Sequence, residues 1–263
     1  MIRINYNHAE AYSKRGYARF ELGEKKAAID DYNQAIRINP NDAEAYYHRS
    51  KARFALGDNQ GAIEDSDEAI RINSNYAEAY HNRANARSAL GDNQGAIDDY
   101  DQAIRINSNY AEAYNNRGMV RYAQGDKQLA IDDYNQAIRI NPDYAEAYNN
   151  RGNAYFDLGN KQAALNDYNE AIRLNPNYDY AYNNRGIARD SLGDKNGAIE
   201  DYTQAIRINP KYANALNNRA IVRAKSRDNK NAIADLEKAS EIYLQQENIK
   251  DYEDVQNRIK QIR

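Results

Sequence analysis

The 263-residue chain has no cysteine and no tryptophan, only four prolines and three histidines, and no long apolar run. Without cysteine there is no disulfide framework and no thiolate nucleophile or ligand, which fits a reducing, cytoplasmic setting. No stretch reaches membrane-spanning length, and the opening MIRINYNHAEAY lacks the apolar core of a secretory signal, so no membrane partner is expected. His8, His48 and His81 offer no clustered metal-ligand spacing, and there is no glycine-rich phosphate loop; no cofactor is expected. Charge of one sign is also missing, since 36 basic residues stand against 39 acidic ones for a net charge of -3, which argues against nucleic acid as a partner.

What the chain does have is a period. The segment AEAYNNRGNAYFDLGNKQAALNDYNEAIRLNPNY, residues 145–178, recurs at a strict 34-residue spacing, with units starting at Ala9, Ala43, Ala77, Ala111, Ala145, Asp179 and Ala213. A stack of short units in which each touches its neighbours replaces the ordinary expectation of one or two globular domains. Ile2-Arg3-Ile4-Asn5 matches positions 28 to 31 of a unit, so residues 1–8 are expected to be the end of a preceding repeat whose beginning is missing. Residues 9–246 hold seven repeats, and residues 247–263, with Tyr252, Val255, Ile259 and Ile262 on one face, are expected to form a capping helix over the apolar end of the stack.

Within a unit, numbered 1 to 34, apolar and small residues step by three and four over positions 1 to 14, as in Ala147, Tyr148, Gly152 and Tyr155, which predicts a helix A. Glycine at position 15 in six units suits a left-handed helix end, and the residue after it, mostly aspartate, suits an N-cap for a helix B. The seventh unit has Arg227-Asp228 there and is expected to lose the turn. Pro40, Pro142, Pro176 and Pro210 end helix B, with Ser74 and Ser108 in their place in two units. Asn41/Glu44, Asn75/Glu78, Asn109/Glu112 and Asp143/Glu146 have capping-box spacing. Sixteen of the 24 tyrosines fall at positions 4, 24 and 34, where they read as packing residues.

Small residues at positions 8, 20 and 27 recur together in every unit, from Gly16, Ala28 and Ala35 to Ala220, Ala232 and Ala239. With the 34-residue period, this pattern resembles the tetratricopeptide repeat (TPR) family over residues 9 to 246. The resemblance implies an all-α, right-handed solenoid of antiparallel helix pairs with helix A lining a concave groove. Two positions depart from the family: position 7 is arginine in all seven units, and position 11 is arginine everywhere except Tyr155. Position 23 is always aspartate, from Asp31 to Asp235, so a repeated salt bridge from position 7 is expected, either between helices A and B or across to the neighbouring repeat. A catalytic reading of Asp98-Asp99 or Asp132-Asp133 is set aside, because chemistry does not need seven copies of one site.

Family comparison places positions 2, 5, 6, 9, 12 and 13 on the groove. Position 6 is asparagine in five consecutive units, Asn82, Asn116, Asn150, Asn184 and Asn218; an amide both donates and accepts, which suits peptide backbone. This series resembles the asparagine ladder of the O-linked N-acetylglucosamine transferase superhelix; the alternative is framework copied by duplication. Positions 9 and 12 vary where the framework does not, and Tyr17, Phe20, Phe54, Asn85, Met119, Tyr122, Asn153 and Phe156, with Tyr47 at position 5, are the candidate side-chain contacts. The lysines of the carboxylate-clamp subfamily are absent, so that ligand class is rejected. The expected function is a non-catalytic scaffold that binds an extended peptide segment of a protein partner. The alternatives are an architectural spacer that self-associates through the open N-terminal end, or the regulatory part of a larger enzyme.

Overall fold

A computed structural model of the chain describes residues 6–262, so the half-repeat expected at Ile2 to Asn5 lies outside the described residues. All regular structure among them is helical. The chain divides into two units, Met1–Ile140 and Asn141–Arg263. The first holds α1 (Tyr6–Glu21), α2 (Lys25–Ile38), α3 (Ala43–Phe54), α4 (Asn59–Ile72), α5 (Ala77–Ala89), α6 (Asn93–Ile106), α7 (Ala111–Ala123) and α8 (Lys127–Ile140). The second holds α9 (Ala145–Asp157), α10 (Lys161–Leu174), α11 (Asp179–Ser191), α12 (Lys195–Ile208), α13 (Ala213–Lys225), α14 (Asn229–Gln245) and α15 (Ile249–Ile262). In both units each helix packs chiefly on the next in sequence, and more weakly on the next but one, which joins α1 to α3, α3 to α5, α5 to α7, α9 to α11 and α11 to α13. Helix A of one repeat thus touches helix A of the next within a unit.

The A-to-B turn depends on its glycine. Gly57 stands at φ 82 and its N–H reaches the Phe54 carbonyl at 2.9 Å, while the Asp58 N–H reaches Arg53 at 3.0 Å. This pairing satisfies carbonyls that the end of α3 leaves open, and glycine holds the left-handed conformation without a Cβ penalty. Asp58 then caps α4 by accepting from the Gly61 N–H at 3.0 Å, and Asp92 and Asp194 do the same for α6 and α12. The seventh repeat does not lose the turn: Arg227 holds φ 65, and Asp228 caps α14. The expectation missed that a neighbouring framework can hold a non-glycine residue in this conformation.

The B-to-A turn corrects the capping-box reading. The N-cap falls one residue later, at position 34, where Asp42 accepts from the Ala45 N–H at 3.1 Å but Tyr76 and Tyr110 make no side-chain cap. Position 33 instead donates its N–H to the position-31 asparagine, in Asn41 to Asn39, Asn75 to Asn73, Asn109 to Asn107 and Asp143 to Asn141. This local side-chain turn is the same whether proline or serine stands at position 32, which explains why Ser74 and Ser108 are tolerated.

Alanines at positions 20 and 27 are completely buried between the helices. The position-24 tyrosine lies over the small residue at position 8, and a Cβ added at Gly118 would stand 2.7 Å from the Tyr134 ring. Repeat 2 solves the same contact differently: Ser50 stands where the other repeats have glycine or alanine, Ser66 stands in place of the ring, and the two hydroxyls hydrogen-bond at 2.8 Å. At the other end, Val255 and Ile259 of α15 are buried in a cluster with Leu236, Ile242 and Tyr243 of α14.

Candidate functional site

The arginine and aspartate rows form one cluster per repeat, inside the A–B interface. Arg49 donates from Nε to Asp65 Oδ2 at 2.8 Å and from Nη2 to Oδ1 at 2.5 Å. The equivalent pair closes in every repeat, at Arg15/Asp31, Arg83/Asp99, Arg117/Asp133, Arg151/Asp167, Arg185/Asp201 and Arg219/Asp235. Position-11 arginines add a second guanidinium to the same carboxylate, as Arg87 does to Asp99 at 2.8 Å. In repeat 5, Tyr155 takes that place, with the Arg151 guanidinium 5.9 Å from its ring centre.

The Arg–Asp bridge therefore forms within each repeat, and the position-7 arginine reaches the preceding repeat at position 25 instead of at its aspartate. Arg49 donates to Asn33 at 2.7 Å, Arg83 to Asp67 at 2.5 Å, Arg185 to Asn169 at 2.8 Å and Arg219 to Thr203 at 2.9 Å; Arg117 binds Asp101. Sequence reasoning missed position 25 as this third partner. The signal was there: Asn33, Asp67, Asp101, Asn169 and Thr203 are all acceptors. The cluster holds charge and leaves no free acid or base. Burial holds the carboxyls of Asp133, Asp167 and Asp201 above their usual range, against the opposing pull of their arginines. Such an arrangement fixes register rather than supplying large stability.

On the A-helix face, the asparagine ladder is largely engaged within the protein. Asn116 donates to His81 Nε2 at 3.0 Å and to Asn85 at 3.2 Å, and Asn184 donates to Asn149 and Asn153, each at 3.0 Å. Asn218 donates to Asn183 at 3.0 Å. The rule is that position 6 bonds to positions 5 and 9 of the preceding helix A, while its oxygen accepts from its own neighbour, as Asn184 does from Asn183 at 3.2 Å. After α13 the ladder ends, since no asparagine-bearing helix A follows, and Asn217 Oδ1 is buried with no hydrogen-bond partner. Asn82 departs from the rule: it is buried and donates to the Ser50 hydroxyl at 2.6 Å, filling part of the space opened by the serine pair. Asn150 is half-buried.

The side-chain contacts read from positions 5, 9 and 12 separate into three groups. Phe54, Asn85 and Met119, together with Asn116, line one cleft of about 510 Å³ in the first unit, spanning helices A of three successive repeats. Tyr100 forms part of its wall and donates its hydroxyl to Asn85 at 2.6 Å. Tyr17 belongs to a second cleft of about 560 Å³ in the same unit, with Glu10, Ser13, Lys14, Glu44 and His48. The rest are packing contacts or are half-buried. Phe20 lies against the Tyr32 cluster, Tyr47 sits 5.0 Å from the Tyr76 ring, and Phe156 lies against the Tyr168 cluster. Asn153 accepts from Tyr168 at 2.8 Å, and Tyr122 is half-buried. Met119 and Tyr17 are the exposed members, at 43% and 48%.

Burial pushes His81 down to about 4 and lowers His48 against the pull of Glu44, so both imidazoles are neutral near pH 7. Burial also pushes the Tyr47 phenol up to about 12. The Phe54/Met119 cleft is walled by amide, aromatic, small and apolar side chains, whereas the Tyr17 cleft also carries Glu10, Lys14, Asp42 and Glu44. Among the described residues no group of histidines and carboxylates has the arrangement of a metal site, and no helix is long and apolar enough to cross a membrane.

A stack of helix hairpins that carries its variable side chains on one helix face is a repeat scaffold. Profiles described as TPR repeat match residues 16–57, 51–91, 84–125 and 118–159, and profiles described as tetratricopeptide repeat match 145–178 and 180–212. The chain belongs to the tetratricopeptide repeat family, whose members are in general non-catalytic interaction scaffolds. Among solved structures it is similar to MamA, at 29% identity over 60% of this chain and 93% of that one, with a TM-score of 0.55. YrrB, described as a TPR protein with an unusual peptide-binding site, is 23% identical over 70% of this chain and 95% of that one, TM-score 0.56. A tetratricopeptide repeat protein from Parabacteroides merdae is 19% identical over 95% of this chain and 98% of that one, TM-score 0.73. No curated protein matches the sequence significantly.

Proposed function

We propose that the protein is a non-catalytic scaffold that binds an extended segment of a protein partner across the A-helix face of its first unit. The observation that carries this reading is the cleft lined by Phe54, Asn85, Asn116 and Met119, which crosses three successive repeats and leaves Met119 partly exposed. A flexible apolar side chain beside amide groups, on a rigid pair-of-helices support, is what an interface anchor requires. The peptide-binding description of YrrB supports the class of ligand. The ladder amides act here mainly as the ties that hold successive A helices in place; Asn116 keeps acceptor capacity on Oδ1 at the cleft wall, while the Asn85 oxygen already accepts from Tyr100 and Asn116.

The test is a peptide array probed with the whole chain, with titration of the captured sequences. Met119→Lys or Phe54→Ala should weaken binding by about ten- to a hundredfold. Equal affinity in wild type and both variants would sink the cleft reading. Scattering that rises with protein concentration, with no peptide captured, would favour the self-assembling spacer instead.

A further inference from the structure

The arginines dominate the basic charge of the chain, but those at positions 7 and 11 are paired inside the repeats. The groove-face positions of repeats 1 to 4 carry Glu10, Glu21, Glu44, Glu78 and Glu112 against Lys14 and Lys51. Lys14 is tied to Glu10 at 2.6 Å, and the Lys51 ammonium lies 5.4 Å from the Phe20 ring centre. Glu78 and Glu112 are exposed and have no ion-pair partner among the described residues. Glu44 is 74% exposed and touches only the neutral His48, at 3.5 Å. The uncompensated charge beside the cleft is therefore negative.

The glutamates also stand at a fixed distance from the cleft. Glu112 precedes Met119 by seven residues on α7, as Glu78 precedes Asn85 on α5. Seven residues are about two helical turns, which puts both side chains on one face about 10.5 Å apart. The second cleft bears this out directly, since Glu10 and Tyr17 at the same two positions line it together. An extended chain covers that distance in about three residues.

We infer that the partner segment is a basic peptide with an apolar anchor, in which lysine or arginine stands about three residues from the side chain that enters the Phe54/Met119 cleft. This rests on the peptide-binding reading above and names the chemistry of its ligand. The glutamates steer and orient the peptide, while the cleft supplies most of the hold. An acidic tail would meet Glu44, Glu78 and Glu112 as like charges, which agrees with the missing clamp lysines.

Three fluorescein-labelled twelve-residue peptides test it by anisotropy on the whole chain. One has a central leucine with lysines three residues to either side; the second has glutamates for the lysines; the third keeps the lysines and replaces leucine with serine. The first should bind at least tenfold tighter than the other two, and more weakly as salt rises. An exposed pair is worth roughly two- to threefold and the peptide's two lysines form two of them, so the triple variant Glu44→Gln/Glu78→Gln/Glu112→Gln should lose about four- to ninefold together with most of the salt dependence. These side chains are exposed, so the variant should keep its helical content and unfolding midpoint. If the acidic peptide binds as well as the basic one and Met119→Lys removes both, the basic partner is overturned while the cleft reading stands. If none of the three binds, both fall.

Discussion

Repeats 1 and 4 carry the same arginine pair on the same aspartate, yet the two clusters are physically different. In repeat 4 the Arg117 side chain is 13% exposed, and its third guanidinium nitrogen reaches Asp101 of the preceding repeat. In repeat 1 the Arg15 side chain is 55% exposed, and no described helix precedes α1. Both carboxylates are covered to the same degree at their own surface, 3%, so the difference lies in the thickness of protein around them. The two titrate in opposite directions for this reason. Hydrogen bonding from Arg15 holds Asp31 below its usual range, whereas burial lifts Asp133. The repeat is thus not the complete energetic unit, because each cluster needs its predecessor to become an interior one.

The largest expected effect breaks this comparison at its centre. Asp133→Ala removes both acceptor oxygens, one of which protonation would leave in place, so Arg117 and Arg121 face each other with nothing between them; losing one side of a buried ion cluster in this way costs about 3–5 kcal/mol. Asp31→Ala should cost about 1 kcal/mol, because Arg15 is open to solvent. Urea unfolding of the two variants measures the difference, and equal losses would show that the preceding repeat does not matter.

Acid sharpens the same contrast. The contribution of Asp31, with its depressed folded pKa, is complete above the unfolded carboxylate value of about 3.9 and is lost as pH falls through the folded value. Asp133, raised by burial, takes up its proton more readily folded than unfolded. Its contribution is complete below the unfolded value and is lost as pH rises through the folded one, so acidification removes nothing through this group. Corrected for the intrinsic slowing of exchange in acid, amide protection followed from pH 6 downward should fall in α1 and α2 before α7 and α8. The reverse order would contradict the assignment.

In the second unit, repeats 6 and 7 differ in what succeeds them: α13 follows repeat 6, whereas the capping helix α15 follows repeat 7. Asn183 accepts from Asn218 and donates to Asn184, while Asn217 has an orphan carbonyl. Asn183→Ala should cost about 1–2 kcal/mol, as it strands the Asn218 donor, and Asn217→Ala should be close to neutral. A thermal melt that ranks the two the other way round would remove the ladder from the forces that join A helices.

The family, the helix pairs and the glycine turns were legible in the sequence because they are local and periodic: a 34-residue repeat, three- and four-residue apolar steps, and a residue type that tolerates positive φ. The Arg–Asp pair was legible as two invariant rows, whereas its reach to Asn33, Asp67 and Asp101 left only the run of acceptors at position 25 as a signal, because nothing within one repeat says which arginine they face. The candidate site shows the same limit. Positions 6, 9 and 12 marked the face, yet only the packed helices show that Asn116 is tied to His81 and Asn85, that Phe20 and Phe156 face their own tyrosines, and that Phe54 and Met119 meet in one cleft. The capping-box reading failed because position 31 offers a closer side-chain acceptor than the glutamate two residues into helix A.

The turns give the smallest effect and the most direct check that neighbours, not local preference, hold a repeat in shape. Gly193 and Arg227 stand at the same position of repeats 6 and 7, at φ 88 and 65. A side chain in this conformation costs about 1–2 kcal/mol, part of which the stiffer unfolded chain of a non-glycine residue offsets. Asp228 caps α14 all the same and the Asp228 N–H still bonds to Arg223 at 2.9 Å, so the framework of repeat 7 imposes the turn on an unfavourable residue. Arg227→Gly should therefore raise stability by about 0.5–1 kcal/mol, and Gly193→Ala should lower it by about 1 kcal/mol. Amide exchange in α13 and α14 locates the gain. A loss of stability in Arg227→Gly would mean that the arginine side chain makes a contact worth more than the backbone strain it carries.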